Sequence, residues 1–514
     1  MYRIDKLLFI LVLLGFNNTY ALLDSTNNSI NTNYFNRADN IVATVDSIRI
    51  TTAEFFYSYE YGPAFIKRGT ESKKHHLDYI INEKLLTLYG YSNRIDTSEQ
   101  VREMYSEIHN DLITQELFKD DVLENISISE EEIDTVITQK LLTLKIKWLF
   151  SENENLIFEY TKLLSEGNNF DTLYNAQFKE GISKDDRSMK INRYQLGKKN
   201  PLLAGIIDTL QIGNVSSPIR TNDGWYLILL ESVSRNVFTT ETEYNKLHQK
   251  SMNAIRKIKM DEISDKYVRE LLLSHNPIIR RSTFTILRAY LGKFVLTPEK
   301  YNEWDLETGL ANAINELDGL YETNINNLSL VKLNSGNITL EDFLKWYRNR
   351  EQYIKFNKNN LKAFSISIEN IIWRMVRDKL LTDLAMKRKY DKRTSVVQES
   401  KWWKDKIVYS AVRNQLANSI LIANKEVKAG GLNKTGGNKT TAQDMERELS
   451  IKIFRLVANL KQKYKITINE NLLNNIKVSA EHDPTAIEVY TIKKSGLIPR
   501  TPYPTIDRDW ESWE

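Results

Sequence analysis

The sequence predicts an α+β fold, a mostly helical framework with one compact module of mixed strands and helices set into it. Three observations carry that reading. Apolar residues recur at three- and four-residue steps on either side of the module, from Ile80 to Leu117 and from Tyr244 to Leu271. Between them, residues 141–235 change to alternating or continuous apolar runs separated by Gly and Asn turns. A short strand that feeds a capped helix also occurs twice, once in each half of the chain.

At 514 residues the chain exceeds one ordinary core, and two to four domains are expected. Hydrophobic residues make up 41% and charged residues 27%, an ordinary globular balance. The 71 basic and 67 acidic residues nearly cancel, leaving +4, without the concentrated basic face that nucleic-acid binding needs. Cysteine is absent, which excludes a disulfide scaffold, a thiolate metal site and a cysteine nucleophile.

Arg3 and Lys6 precede an apolar run from Leu7 to Phe16, followed by Asn17-Asn18 and Thr19-Tyr20-Ala21. A basic start, a short apolar stretch and small residues at the −3 and −1 positions predict a signal peptide over 1–21. The run falls short of the about 20 apolar residues of a spanning helix. No cysteine follows it, so a lipoprotein anchor is excluded. The expectation is an exported protein of the periplasm or cell envelope of a Gram-negative-type bacterium. It would touch the membrane only through an uncleaved signal segment.

Residues 22–40 are rich in Asn, Ser and Thr and read as a disordered leader. The run Ile41 to Val45 is β-prone and turns at Asp46-Ser47, and Thr51 with Glu54 has capping-box spacing. Two long helices complete a helical region over 41–138. The mixed module spans 139–236 and a further helical region 237–325. Leu333 to Phe343 then repeats the character of Val45 to Phe55, with Thr339 and Asp342 as cap and acid. Asp378 to Leu381 parallels Glu83 to Leu86, again ahead of a long helix that includes Trp402 to Leu421. This second strand–helix unit covers 326–425. A flexible linker at 426–443, a helical segment at 444–478 and an extended tail at 479–514 follow.

Within the module, Ile191 to Gly197, Asn200-Pro201-Leu202, Leu210 to Ile219 and Thr221 to Ile228 resemble a parvulin (PpiC-type) domain, the rotamase module of the SurA, PpiD and PrsA envelope foldases. The matching features are a Gly-containing aromatic strand, a helix after a proline, a "GEVSxPV" turn and a "GYHII" strand. Phe170 to Leu173 is similar to the family's "DFxxLA" helix, and the strand–helix start before the module is similar to its N-terminal segment. The resemblance implies an FKBP-like α+β domain in a chaperone framework that binds unfolded or proline-containing polypeptide.

It also implies a site. The family's two facing histidines fall on Trp148 and Tyr226, and its proline cup on Ile191, Lys199 and Leu202, with Tyr194 beside them. Its central Cys or Asp falls near Gly181, with Asp185 and Asp186 close by. An X–Pro bond rotates over about 20 kcal/mol, which a parvulin lowers by gripping proline and stabilising the twisted amide with polar groups. With both histidines replaced, isomerase activity is expected to be weak or lost. An active isomerase with a remodelled site is one alternative, and a non-catalytic component of an envelope or secretion complex is another.

No cofactor is expected, and no metal: His75 and His76 are adjacent and face different sides of a helix. Walker, GxSxG and HExxH motifs are absent. Glu130-Glu131-Glu132 reads as a solvated helix start. Trp346-Tyr347 and Trp402-Trp403 lie in helical segments and either pack between helices or line an aromatic groove for extended clients.

Overall fold

The computed structural model describes residues 40–62, 67, 69–178, 187–238, 240–317, 324–429, 442–478, 497 and 504. The expected signal peptide, the leader before Asn40, Gly181, Asp185, Asp186 and most of the tail lie outside the described residues. Among the described residues the fold is α+β and mostly helical, with three small antiparallel sheets. Residues 126–260 form one compact unit, and the chain before and after them forms the other.

The larger unit opens with a hairpin, β1 (Ile41–Val45) and β2 (Ile48–Thr51), turning at Asp46 in the left-handed region (φ 51°) that Asp tolerates. Thr51 caps α1 (Thr52–Tyr61), accepting from the Glu54 amide at 3.1 Å. The reciprocal half of the box does not form. The Glu54 carboxylate instead meets Lys84 Nζ at 2.7 Å, because a buried ammonium outcompetes a cap amide for a charged acceptor. Helix α2 (Ser72–Ser92) leads through Arg94 (φ 57°) and a 3-10 turn at Ile95–Thr97 to α3 (Glu99–Phe118).

The smaller unit contains α4 (Glu130–Leu141), β3 (Leu142–Ser151), α5 (Glu154–Ser165), α6 (Phe170–Ala176), β4 (Ser188–Asn192), α7 (Arg193–Lys199), α8 (Pro201–Asp208), β5 (Ile219–Arg220) and β6 (Trp225–Arg235). Its sheet runs β4-β3-β6-β5, antiparallel throughout. Alternation sorts its side chains onto two cores. Leu144, Ile146, Ile228 and Leu230 face one way, while Leu149, Leu227 and Leu229 face the other with Ile157 and Phe170. Helix α9 (Glu241–His275) closes this unit and continues into the larger one.

The larger unit resumes with β7 (Ile278–Ile279), α10 (Arg281–Val295), α11 (Pro298–Glu303) and α12 (Leu306–Asn315). The second hairpin, β8 (Ser329–Leu333) and β9 (Gly336–Thr339), then feeds α13 (Leu340–Arg348). Here the capping box is complete: Asp342 N donates to Thr339 Oγ1 at 3.2 Å, and Thr339 N to the Asp342 carboxylate at 2.8 Å. Helix α14 (Leu361–Lys387), Lys389 (φ 62°) and a 3-10 turn at Tyr390–Lys392 lead to α15 (Thr394–Ala429). Helix α15 thus runs past Glu426, where the linker was expected to begin. Helix α16 (Ala442–Lys463), β10 (Ile466–Ile468) and α17 (Glu470–Asn475) follow, with β10 pairing antiparallel to β1.

The repeat is therefore longer than its motifs. In both copies a hairpin, a capped helix, a long helix, a left-handed residue, a 3-10 turn and a second long helix follow in order. The copies exchange their last helices. Helix α15 of the second copy packs on α2 of the first, giving Tyr409 and Val412 to the core around β1 and β2. Helix α3 of the first packs on α14 of the second, giving Ile108, Leu112, Ile113 and Leu117 to the core around β8 and β9. Trp346, Tyr347, Trp402 and Trp403 are all buried, and Trp346, Tyr347 and Trp403 belong to the second of these cores. They pack between elements, and Trp402 also lines a small pocket with Glu54, Lys84 and Tyr409.

Candidate functional site

In the smaller unit, Trp148 and Tyr226 are half-buried on one face of the sheet. Trp148 pairs across β3 and β6 with Ile228, and Phe150 pairs with Tyr226, so Trp148 and Tyr226 are diagonal neighbours. The Phe150 and Tyr226 rings stand 4.9 Å apart. Ile219 lies opposite Tyr226 on β5, and the Arg187 guanidinium covers Phe150 at 4.8 Å. Gly224, at φ 148°, permits the close approach, because a Cβ there would lie 2.7 Å from the Phe150 ring.

The polar element is Asp223. Its carboxylate accepts from the Tyr226 hydroxyl at 2.6 Å and from Thr221 Oγ1. Burial, then the bond to Asp223, pushes the Tyr226 phenol up to about 12, so it stays protonated at neutral pH. Bonds from Thr221 and Tyr226 hold the Asp223 carboxyl below its ordinary value. A hydroxyl has one proton, and that of Tyr226 is given to Asp223, so none is left to donate to a twisted amide.

The other expected site residues separate from this patch. Ile191 is on the same face but pairs with Leu144, four residues along β3 from Trp148, about 13 Å at the strand rise. Met189, opposite Ile146, is nearer. The expected aromatic strand over 191–197 is a correction: β4 ends at Asn192, whose Oδ1 accepts from the Gln195 amide at 2.7 Å and starts α7. Tyr194 is consequently on a helix, with the Lys140 and Lys198 ammonium groups 5.0 and 5.2 Å from its ring. Asn200 caps α8 and Pro201 occupies its first turn, as expected for a helix after a proline. That geometry leaves Lys199 and Leu202 exposed, Leu202 at 62%, and neither joins the aromatic face. Phe150, Ile219, Arg187 and Asp223 were not predicted. Only the Asn-Asp-Gly turn carried a signal for Asp223, because a turn acid is positioned to accept local bonds.

Among the described residues no group of three His, Asp or Glu side chains converges as a metal site. His76 is buried against Ser58 at 3.1 Å while His75 is exposed, and His248 bonds Glu130 at 3.0 Å. Among the described residues no helix is long and apolar enough to cross a membrane. Chemically the face offers apolar and aromatic contact under a polar rim, and neither Tyr226 nor Asp223 changes its protonation near neutrality.

No family model matches the chain, and no curated protein matches it. Solved structures of PrsA proteins are among those distantly similar to it. The peptidylprolyl isomerase PrsA from Bacillus anthracis is 17% identical, covering 31% of this chain and 69% of that one, with a TM-score of 0.20. PrsA from Bacillus cereus is 16% identical over 55% of this chain and 99% of that one, with a TM-score of 0.20. PrsA from Bacillus subtilis is 15% identical over 45% and 93%, with a TM-score of 0.16. The likeness is weak and assigns no residue a role.

Proposed function

We propose that this chain binds unfolded or extended polypeptide as a foldase of the envelope, and that its isomerase chemistry is weak or lost. The observation that supports this reading is the half-buried face of Trp148, Phe150, Ile219 and Tyr226, whose single hydroxyl donor is committed to Asp223. Such a face can hold an apolar or prolyl side chain by area and shape, at about 25 cal/mol per Å² covered. Among the described residues, its tyrosine hydroxyl and the nearby Asp223 carboxylate are engaged with each other rather than free to stabilise a rotating amide. The sequence resemblance to parvulin domains agrees with the binding half of this reading, and the signal-like N-terminus agrees with export.

Two measurements test it. Aggregation of a chemically denatured outer-membrane protein is followed with and without the chain, and suppression at stoichiometric amounts is expected. Proline-limited refolding is followed in parallel, and no acceleration is expected. Acceleration that Tyr226→Phe abolishes would establish the active-isomerase alternative instead. Failure to suppress aggregation at several-fold excess would count for the structural alternative.

A further inference from the structure

A second site lies in the larger unit. Asp111 on α3 is fully buried, and Arg350, just past α13, is 2% exposed. Arg350 is held from three sides: Glu107 at 2.9 Å, the Trp346 carbonyl at 2.9 Å, and the Trp346 ring at 4.5 Å. Asp378 is 3.9 Å from its Nε and accepts from Trp346 Nε1 at 2.9 Å. Gln115 Nε2 donates to Asp111 Oδ2 at 3.0 Å and Arg377 pairs with Asp378 at 2.7 Å, and two further bonds go to one residue of the tail. The Leu497 amide donates to Asp111 Oδ1, and Arg350 Nε donates to the Leu497 carbonyl at 2.9 Å.

Both of these bonds go to the Leu497 main chain. One residue can likewise exchange both its N–H and its C=O with a single partner residue across an antiparallel pair. Asp111 and Arg350 supply the matching acceptor and donor from side chains, so they read one residue of backbone without reading its identity. The Leu497 side chain is enclosed, 6% exposed. Pro504, also buried, is a second point of the same tail on the same unit, where it lines a cavity with Glu54, Lys84, Trp402 and Tyr409.

We propose that Asp111 and Arg350 form a main-chain clamp for a polypeptide bearing a leucine-sized residue, and that the chain's own Leu497 occupies it in cis. Main-chain hydrogen bonds supply affinity and one apolar enclosure supplies selectivity, as in strand addition. This rests on the polypeptide-binding reading above. A client would enter by displacing Leu497, and the clamp would show lower affinity in trans by the fraction of time it is filled.

The probe is a fluorescein-labelled peptide with the sequence of residues 493–503, Lys-Lys-Ser-Gly-Leu-Ile-Pro-Arg-Thr-Pro-Tyr. Its anisotropy is titrated with the full chain, with Leu497→Asp, and with Leu497→Asp combined with Arg350→Met. Leu497→Asp should bind at least about tenfold more tightly than the unaltered chain, since the cis occupant is expelled. Arg350→Met should abolish that gain. To guard against a misfolded variant, a protease site inserted between Asp483 and Pro484 is cut after folding. Release of the cut tail by excess peptide is then expected. Equal affinities, together with a cut tail that peptide never displaces, overturn the clamp while aggregation suppression by the unaltered chain stands. Loss of suppression in every form overturns the polypeptide-binding reading, and the clamp with it.

Discussion

Lys84 on α2 and Asp405 on α15 stand 321 residues apart in the chain, and their side chains meet at 2.6 Å in a buried ion pair. Glu54 binds the same ammonium at 2.7 Å, and Tyr91 donates to the other Asp405 oxygen at 2.8 Å. The cluster joins the first repeat to the helix it receives from the second. Removing the cation alone leaves two buried carboxylates facing one another. Lys84→Met should therefore cost about 3–5 kcal/mol in urea unfolding. The triple change Glu54→Gln, Lys84→Met, Asp405→Asn should recover much of that loss. A single-variant loss below about 1 kcal/mol would contradict the buried pairing.

The same helix pair meets closely at Gly90. A Cβ on Gly90 would lie 2.4 Å from Val408 Cγ1 and 2.9 Å from Val412 Cγ2, too near for either valine to stay in place. Gly90→Ala should destabilise by about 1–3 kcal/mol, the usual cost of overpacking. Gly90→Ala with Val408→Ala should be less destabilised than Gly90→Ala alone. Denaturant midpoints of the three proteins check this.

Acid should weaken the larger unit through His76. Burial, with a smaller contribution from Lys67, pushes its imidazole down to about 3 from an ordinary 6.5. Between those values the unfolded chain binds a proton that the folded chain does not. Stability is thus fully present above the ordinary value and falls as pH drops, by up to about 1.4 kcal/mol per pH unit. Burial lowers His109 in the same direction. Urea midpoints at pH 7 and pH 5 should differ more for the unaltered chain than for His76→Phe, and parallel shifts would refute the assignment.

Polypeptide binding at the sheet face should not follow that pattern. Tyr226 titrates only near about 12 and Asp223 below its ordinary range, so neither changes charge near neutrality. Affinity for a short aromatic peptide should vary by no more than about twofold between pH 6 and pH 9 at constant salt. Trp148→Ala should weaken it and Tyr226→Phe should scarcely alter it. A bell-shaped pH profile would show that a proton-transfer group had been overlooked.

Much of the local structure was legible in the residues. Thr51 and Thr339 announced helix starts, Asn200-Pro201 announced α8, and the alternation through Leu144, Ile146 and Trp148 announced β3. These signals act across two to four residues, the range over which caps, turns and periodicity operate. The candidate site was read less well. Trp148 and Tyr226 do adjoin, but Ile191 is displaced along the strand, and Lys199 and Leu202 are exposed. The error began at Asn192, where a cap ended the strand that the resemblance would have carried through Tyr194.

Residue chemistry alone thus set the α+β class, the balance of charge and the repeated hairpin-and-helix start. Tertiary contact decided the rest. The exchange of α3 and α15 between repeats, the partner chosen by Glu54, and the grip of Asp111 and Arg350 on Leu497 all join residues far beyond the reach of a helical turn, from 30 positions for Glu54 and Lys84 to 386 for Asp111 and Leu497. No local pattern encodes such a pairing. It is set by which apolar faces can be buried together, and by the need of every buried charge for a partner.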